Sequence, residues 1–182
     1  MLRAAGVAFE ARGSGVDEDA LKSEWLTDGA TPLLVAERLA ACKALAVSRA
    51  EPGLVIGADS TLELDGRLFD KAGSMEEARA RLIELRGRAH SLHSAVALAR
   101  EGAVVWSEVG TAVLHVRPFT EAWLDGYIAQ AGDAVTSSVG AYHLEGVGVQ
   151  LFERIEGDWF TILGMPMLGL LEALRREGAL PA

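Results

Sequence analysis

The chain has 182 residues, half of them hydrophobic, and carries 17 basic against 26 acidic side chains, giving a formal net charge of −9 at pH 7. This length and composition predict one globular domain over residues 1–182. The negative charge argues against nucleic-acid polymers as partners, because a protein that binds them needs many basic side chains in contact with phosphate. No apolar stretch approaches the roughly 18 uncharged residues of a membrane helix, and no signal peptide is recognisable, so we expect no membrane partner. Cysteine occurs once, which together with these features favours a cytoplasmic protein.

The first part of the chain predicts a helix and a β-hairpin after an irregular start. Residues 1–11 have the pattern of a helix end followed by a strand around Phe9. A threonine and a proline then begin a helix over 31–49. A buried strand follows at 54–58, and Asp65-Gly66 between two apolar runs is typical of a tight hairpin turn.

The rest of the chain continues to alternate between helices and strands. Ser74 and Glu77 form a capping-box pattern before a helix that ends at Gly87. Because hairpins occur as well as crossovers, we expect an α/β fold with a mixed sheet rather than a purely parallel one. The remaining predicted elements are strands within 91–99 and 104–119 joined at Glu101-Gly102, a helix over 120–130, a strand near 149–155 and a helix over 166–176.

Five charged residues are candidates for chemistry, although each also has an ordinary structural explanation. Asp59 ends the apolar run of the buried strand, where a carboxylate either caps the next turn or, partly desolvated, serves as a metal ligand or general base. Lys71 follows a second apolar run, and Lys43 lies in a helix from which lysines usually reach outward. Glu18 lies in a charged segment expected to be a loop, and Glu145 lies among glycines.

Several common types of active site are not indicated. The four histidines show no zinc spacing and have no cysteine partners. Ser60, Ser137 and Ser138 lack the strand-turn-helix context of a hydrolase nucleophile. The chain contains neither a Walker-type phosphate loop nor a dinucleotide-binding fingerprint.

Six segments, in order and over almost the whole chain, fit the pattern of one family. They are "AGVAFEARGSGVDED", "ERLAACKA", "VIGADSTLELDGRLFDKAGSMEEAR", "GRAHSLHSAVAL", "GAYHLEGVGVQLFERIEGDWFTILGMP" and "LLEALRREG". Together these segments resemble the Maf family of nucleoside triphosphate pyrophosphatases. The resemblance implies an elongated, two-lobed α/β fold like that of inosine-triphosphate pyrophosphatases. It implies a cytoplasmic enzyme, often a homodimer, that hydrolyses a nucleoside triphosphate to the monophosphate and pyrophosphate with Mg²⁺ or Mn²⁺, in a house-cleaning role.

The same resemblance assigns roles to the five charged residues. Asp59 would bind the metal and help to activate water, with Glu18 as the second carboxylate of the metal site. Lys43 and Lys71 would neutralise phosphate oxygens during catalysis and substrate binding. Glu145 would contact the base; relatives with glutamine there favour pyrimidine nucleotides, whereas the glutamate branch resembles 7-methyl-GTP pyrophosphatase. A carboxylate accepts hydrogen bonds and so suits the N1 and N2 donors of a guanine edge.

One part of the family pattern is not seen. The family opens with a strand and a Ser-x-Ser-x-x-Arg loop that holds the phosphates, whereas the residues from Met1 onward resemble the segment directly after that loop. We therefore expect on the order of 10–15 residues of the pattern to be absent, and weak activity or none, together with poor stability, as a result. Two alternatives stay open: a non-catalytic nucleotide-binding regulator linked to cell division, and a scaffold that has lost its chemistry.

Overall fold

A computed structural model describes residues 1–181 and shows two compact units, each made of discontinuous segments. The first unit contains residues 1–60, 94–110 and the described residues from 164 onward. The second contains residues 61–93 and 111–163. The organisation of the chain as one domain stays a prediction.

Helices and strands alternate along the chain, which confirms the predicted α/β class. The five strands form one sheet in the order β2-β1-β3-β4-β5, in which the β1–β2 and β4–β5 pairs are antiparallel. Among residues 1–181 no helix combines the length and apolar character that a membrane span requires. The elements are α1 (Glu18–Thr27), α2 (Pro32–Ser48), β1 (Val55–Leu64), β2 (Arg67–Phe69), α3 (Met75–Leu85), β3 (Ala89–Arg100), β4 (Ala103–Val116), α4 (Glu121–Ala131), α5 (Ala134–Ser137), a 3₁₀ helix (Val147–Leu151), β5 (Phe152–Glu156), α6 (Trp159–Ile162) and α7 (Met167–Arg176).

Both predicted hairpin turns are confirmed. Asp65 and Gly66 have φ angles of 52° and 78°, and Leu64 pairs with Arg67 across the turn. The turn between β3 and β4 has φ angles of 52° and 76° at its two central residues. Positive φ at both positions matches the twist of antiparallel strands, which explains why Asp-Gly and Glu-Gly stand there.

The predicted starts of three helices are also confirmed by their caps. The hydroxyl of Thr31 accepts a hydrogen bond from the backbone N–H of Leu34 at 3.3 Å, and Thr120 caps α4 in the same way. Ser74 Oγ accepts from the N–H of Glu77 at 3.1 Å. These contacts satisfy donors at the helix start that have no partner within the helix.

The structure corrects the prediction for the first 30 residues. No strand forms around Phe9: after one turn that ends at Gly6, the chain is irregular up to Asp17. Phe9 is exposed, so its side chain does not contribute to a buried strand face. The segment expected to be a charged loop is instead α1, because the Asp17 carboxylate accepts from the N–H of Ala20 and caps it.

Two strand boundaries also differ from the prediction. β1 runs on to Leu64, so Asp59 lies in the middle of a strand rather than at its end. The apolar side chains Leu62 and Leu64 are buried and continue the strand beyond the acid. Near residue 150 the chain first forms the 3₁₀ helix, and β5 begins at Phe152.

In the first unit, β3 separates two apolar clusters. Successive side chains of a strand point to opposite faces. Three β3 alanines therefore pack against three alanines of α2, while Val96 and Leu98 pack against Met167 and Leu170 of α7. The alanine cluster consists of Ala36, Ala40, Ala44, Ala95, Ala97 and Ala99.

The second unit has a separate and larger core, formed mainly by leucine and aromatic side chains. His90 is buried in this unit, with 2% of its surface exposed. Its Nε2 lies 2.6 Å from the hydroxyl of Tyr142, and its Nδ1 has no hydrogen-bond partner among residues 1–181. Burial, with a smaller contribution from His115, lowers the pKa of His90 to about 4.

We expect His90 to make the stability of the protein depend on pH between 4 and 6.5. The folded pKa lies below the ordinary value of 6.5, so the unfolded chain binds more protons in this range and stability falls as the pH is lowered. The loss between pH 7 and pH 4 should reach about 3 kcal/mol. Denaturant unfolding at several pH values should show this loss for the wild type and a smaller one for His90→Gln; parallel curves would contradict the prediction.

Candidate active site

Three of the five predicted residues meet in the first unit. Lys43 Nζ lies 2.7 Å from Asp59 Oδ1 and 2.8 Å from Glu18 Oε1. Each residue comes from a different element: Glu18 begins α1, Lys43 lies in α2 and Asp59 lies in β1. One ammonium group therefore contacts two carboxylates that are 41 residues apart in the chain.

The close packing of α2 against the sheet places Lys43 beside Asp59. A Cβ atom at Gly57 would lie 2.3 Å from the carbonyl oxygen of Ala40 and 2.5 Å from the backbone nitrogen of Ala44. Only a residue without a side chain allows the helix backbone to approach the strand so closely. Lys43 precedes Ala44, and Asp59 follows Gly57 by two residues on the same side of β1.

The neighbouring helix α1 brings Glu18 to the same ammonium. The cap at Asp17 makes Glu18 the first residue of the helix. The guanidinium of Arg38 on α2 lies 5.5 Å from the ring centre of Trp25 on α1, which links the two helices. Glu18 is consequently held by local helix chemistry and by the α1–α2 contact.

Burial controls the charges in this cluster. The Asp59 side chain is 11% exposed, and burial raises the pKa of its carboxyl above the ordinary value even though Lys43 opposes this shift. For Lys43, burial lowers the pKa, but hydrogen bonds to Asp59 and Glu18 together raise it above the ordinary value. Lys43 is thus charged at neutral pH, and Asp59 is a better proton acceptor than a carboxylate in water.

The two carboxylates fit a divalent cation that is shared with a phosphorylated substrate. Among residues 1–181 no group of three or more His, Cys, Asp or Glu side chains is arranged to hold a metal ion by itself. Mg²⁺, however, is usually held by one or two carboxylates together with substrate phosphates and water. Glu18 and Asp59 already converge on one positive charge, the Lys43 ammonium, so this donor set suits such a cation.

The other two predicted residues belong to the second unit. Lys71 follows β2 and is exposed. Glu145 is exposed as well, and its Oε1 lies 3.9 Å from Nδ1 of His143. The structure therefore does not test the predicted roles of these two residues, which stay predictions.

Ser60 and Ser137 both make hydrogen bonds to neighbouring groups. His143 Nε2 lies 2.6 Å from Ser137 Oγ, and the Ser137 hydroxyl donates to the carbonyl of Ala134 at 2.8 Å. Ser60 Oγ contacts Ser94 Oγ at 2.9 Å and donates to the carbonyl of Gly164, so it holds the strand in place within the first unit.

One residue of this region was not predicted from the sequence. Lys22 lies on α1 four residues after Glu18, and its Nζ is 2.9 Å from Asp19 Oδ1. The signal that would have found it is helical periodicity, which puts residues i and i+4 on one face. It was missed because this segment was expected to be a loop.

We expect Gly57→Ala to destabilise the protein, because the added methyl group would meet backbone atoms of α2 that cannot move independently. The free energy of unfolding should fall by about 1–3 kcal/mol in denaturant titrations. Gly126→Ala is the matched control: its Cβ meets nothing within 4 Å, and removing a helical glycine should stabilise by up to about 1 kcal/mol. Wild-type stability of Gly57→Ala would show that the close approach is not needed.

Comparisons with known proteins show which family the chain belongs to. The family described as Maf-like protein matches residues 1–177. A nucleoside triphosphate pyrophosphatase of Caulobacter vibrioides is 60% identical, over 99% of this chain and 90% of the relative. A 7-methyl-GTP pyrophosphatase of Rhizobium meliloti is 50% identical over 100% of this chain and 92% of the relative, and a nucleoside triphosphate pyrophosphatase of Paramagnetospirillum magneticum is 50% identical over 99% and 93%. A match of this extent shows that the chain belongs to the Maf family.

Proposed function

We propose that this protein is a nucleoside triphosphate pyrophosphatase that hydrolyses the bond between the α and β phosphates. Water is consumed, and the products are the nucleoside monophosphate and pyrophosphate. The observation that carries the proposal is the convergence of Glu18, Lys43 and Asp59 within hydrogen-bonding distance from three separate elements. Relatives with 50–60% identity are named for this activity, which supports the same reaction here.

Asp59 is the residue best suited to accept the proton of the attacking water. Its carboxylate is largely buried and held by Lys43, so its position is defined before the substrate binds. As the water oxygen attacks phosphorus, its proton passes to Asp59 and the bond to the departing pyrophosphate breaks.

Glu18 and Asp59 are the residues that would hold Mg²⁺ or Mn²⁺. When bound, the cation would supply positive charge to the phosphate oxygens. Lys43 contacts both carboxylates and provides a further positive charge at the same place. Lys71 is proposed as a second phosphate-neutralising lysine from the family resemblance, and its exposure leaves it accessible to a substrate.

Glu145 is proposed to select the base. As a carboxylate it accepts hydrogen bonds, and a guanine edge offers N–H donors at N1 and N2, whereas uracil and thymine each present one donor between two acceptors. One relative is named 7-methyl-GTP pyrophosphatase, which is consistent with a guanine-type substrate. The resemblance also supports a cytoplasmic homodimer that acts on free nucleotides.

The non-catalytic alternative has no support in the comparisons. A regulator that only binds nucleotide would not need a partly buried acid held beside a lysine, since burying charged groups is costly. Turnover with Mg²⁺ or Mn²⁺ would decide between an enzyme and a binding protein.

We expect Asp59→Asn to reduce pyrophosphate release by a factor on the order of 10²–10⁴, because the amide cannot accept the proton from water. Pyrophosphate release should be measured with Mg²⁺ and with Mn²⁺, alongside thermal unfolding to confirm folding. Glu10→Gln, an exposed acid of the first unit, should retain wild-type activity. Near-wild-type release by a folded Asp59→Asn would remove this residue from the mechanism.

We expect Glu145→Gln to change base preference rather than overall turnover, since an amide both donates and accepts hydrogen bonds. The ratio of kcat/KM for 7-methyl-GTP to that for UTP should fall by about tenfold or more. Glu153→Gln, at another exposed acid of the second unit, is the control and should leave the ratio unchanged. A wild-type enzyme that prefers dTTP and UTP to 7-methyl-GTP would refute the assignment.

A further inference from the structure

The loop over residues 138–146, which carries the proposed base-selecting residue, contains no helix or strand of its own. Side chains from two helices of the same unit hold its backbone. Nη1 of Arg81 on α3 donates to the carbonyl of Val139 at 2.7 Å. The hydroxyl of Tyr127 on α4 donates to the carbonyl of Ala141 at 3.1 Å. These side chains supply the partners that a helix or sheet would otherwise give to the backbone, so the loop has a defined conformation.

The loop also adopts a backbone conformation that alanine rarely takes. Ala141 is fully buried and has a φ angle of 60°, in the left-handed region. The ring of Tyr142 lies directly against the backbone of Gly140, where a Cβ atom would be 2.3 Å from the ring carbon Cε1. Such strain persists only where the surrounding structure fixes it, and it is concentrated at sites that bind or select ligands. The packing of Tyr142 is therefore part of what determines the shape of the loop.

His90 on β3 anchors the hydroxyl of Tyr142. The hydroxyl lies 2.6 Å from Nε2 of His90, and Phe152 packs edge-on against the tyrosine ring with 4.8 Å between the ring centres. Burial raises the pKa of Tyr142 above its ordinary value and lowers that of His90 to about 4, so both side chains are neutral at pH 7. Within residues 1–181 this is the only hydrogen bond of the imidazole, because Nδ1 has no partner there. A buried nitrogen without a partner carries a cost, which indicates a role for His90 beyond filling the core.

The chain between Tyr142 and Glu145 is short and well held. Leu144 is buried, and the N–H of Gly146 donates to the carbonyl of His143 at 3.2 Å, which closes a turn that contains Glu145. The Glu145 side chain is itself 57% exposed. The place of its carboxylate consequently depends on where this turn holds the backbone.

We propose that the hydrogen bond between His90 and Tyr142 positions the turn that carries Glu145 and thereby sets the preference for the base, an inference that rests on the proposed function. Both are positioning residues, since Tyr142 is 6% and His90 2% exposed and neither is open to a nucleotide. Hydrogen bonds weaken steeply when their geometry is disturbed. A shift of this turn should therefore reduce base selection and leave the charges around Lys43 in the first unit unchanged.

The test compares Tyr142→Phe, which removes only the hydroxyl, with His90→Gln, whose amide can still bond to that hydroxyl. In Tyr142→Phe the ratio of kcat/KM for 7-methyl-GTP to that for UTP should fall about threefold to tenfold, and kcat for GTP should stay within about twofold. His90→Gln should keep most of the preference. Thr120→Ala is the control: it removes the cap of α4 and lowers stability without touching the loop, so it should leave the ratio unchanged.

A double variant decides whether Tyr142 acts through Glu145. In a Glu145→Gln background, Tyr142→Phe should change the ratio by less than about twofold, because the carboxylate that it positions is no longer there. A fall in that background as large as in the wild type would show that Tyr142 affects the base by another route, and would overturn the inference.

Two further results would contradict the positioning role: an unchanged ratio in a folded Tyr142→Phe, and an equal fall of the ratio in Thr120→Ala. Calorimetric Kd values for 7-methyl-GTP and UTP separate this inference from the proposed function. If the wild type binds both nucleotides but releases pyrophosphate from none, the proposed function fails, and the ratio of Kd values in Tyr142→Phe still decides the role of the His90–Tyr142 pair. A wild type that binds neither nucleotide would overturn both.

Discussion

The sharing of the Lys43 ammonium between two carboxylates is the interaction on which the candidate site depends. Placing an acid and a lysine where water is largely excluded carries a desolvation cost that is offset only by good geometry. The geometry arises from a backbone contact, because α2 lies directly over Gly57 and fixes where Lys43 meets Asp59. A pair held in this way keeps its charges in place before any substrate arrives, which is the condition for electrostatic catalysis.

The packing of the first unit explains how that contact is maintained. Strand β3 presents alanines to α2 and larger side chains, such as Val96 and Leu98, to α7. Small residues on one face let the helix approach the sheet, while the larger ones on the other face each bury more apolar surface. Alternate residues of β3 thus serve two purposes: those that face α2 allow the helix to lie close to the strand, and those that face α7 stabilise the apolar core.

The residues with proposed roles are divided between the two units, and each unit also has its own apolar core. The first unit holds the acids and the lysine that would act on the phosphates, and the second holds Lys71 and Glu145. The roles proposed for Lys71 and Glu145 come from the resemblance to the Maf family, to which the chain belongs. If Glu145 selects the base, substrate preference can change between relatives without disturbing the buried charges around Lys43.

Local chemistry allowed much of the fold to be predicted from the sequence alone: the caps at Thr31 and Ser74 and the hairpin at Asp65-Gly66 depend on a few neighbouring residues and are confirmed. The sequence, through its family resemblance, also named Glu18, Lys43 and Asp59. It did not place Asp59 in the middle of a strand or Glu18 and Lys22 on one helix, because strand length and helix packing depend on partners distant in the chain. Only the tertiary structure decided that Lys43 contacts both acids, since burial and convergence of charge arise when α1, α2 and β1 pack together.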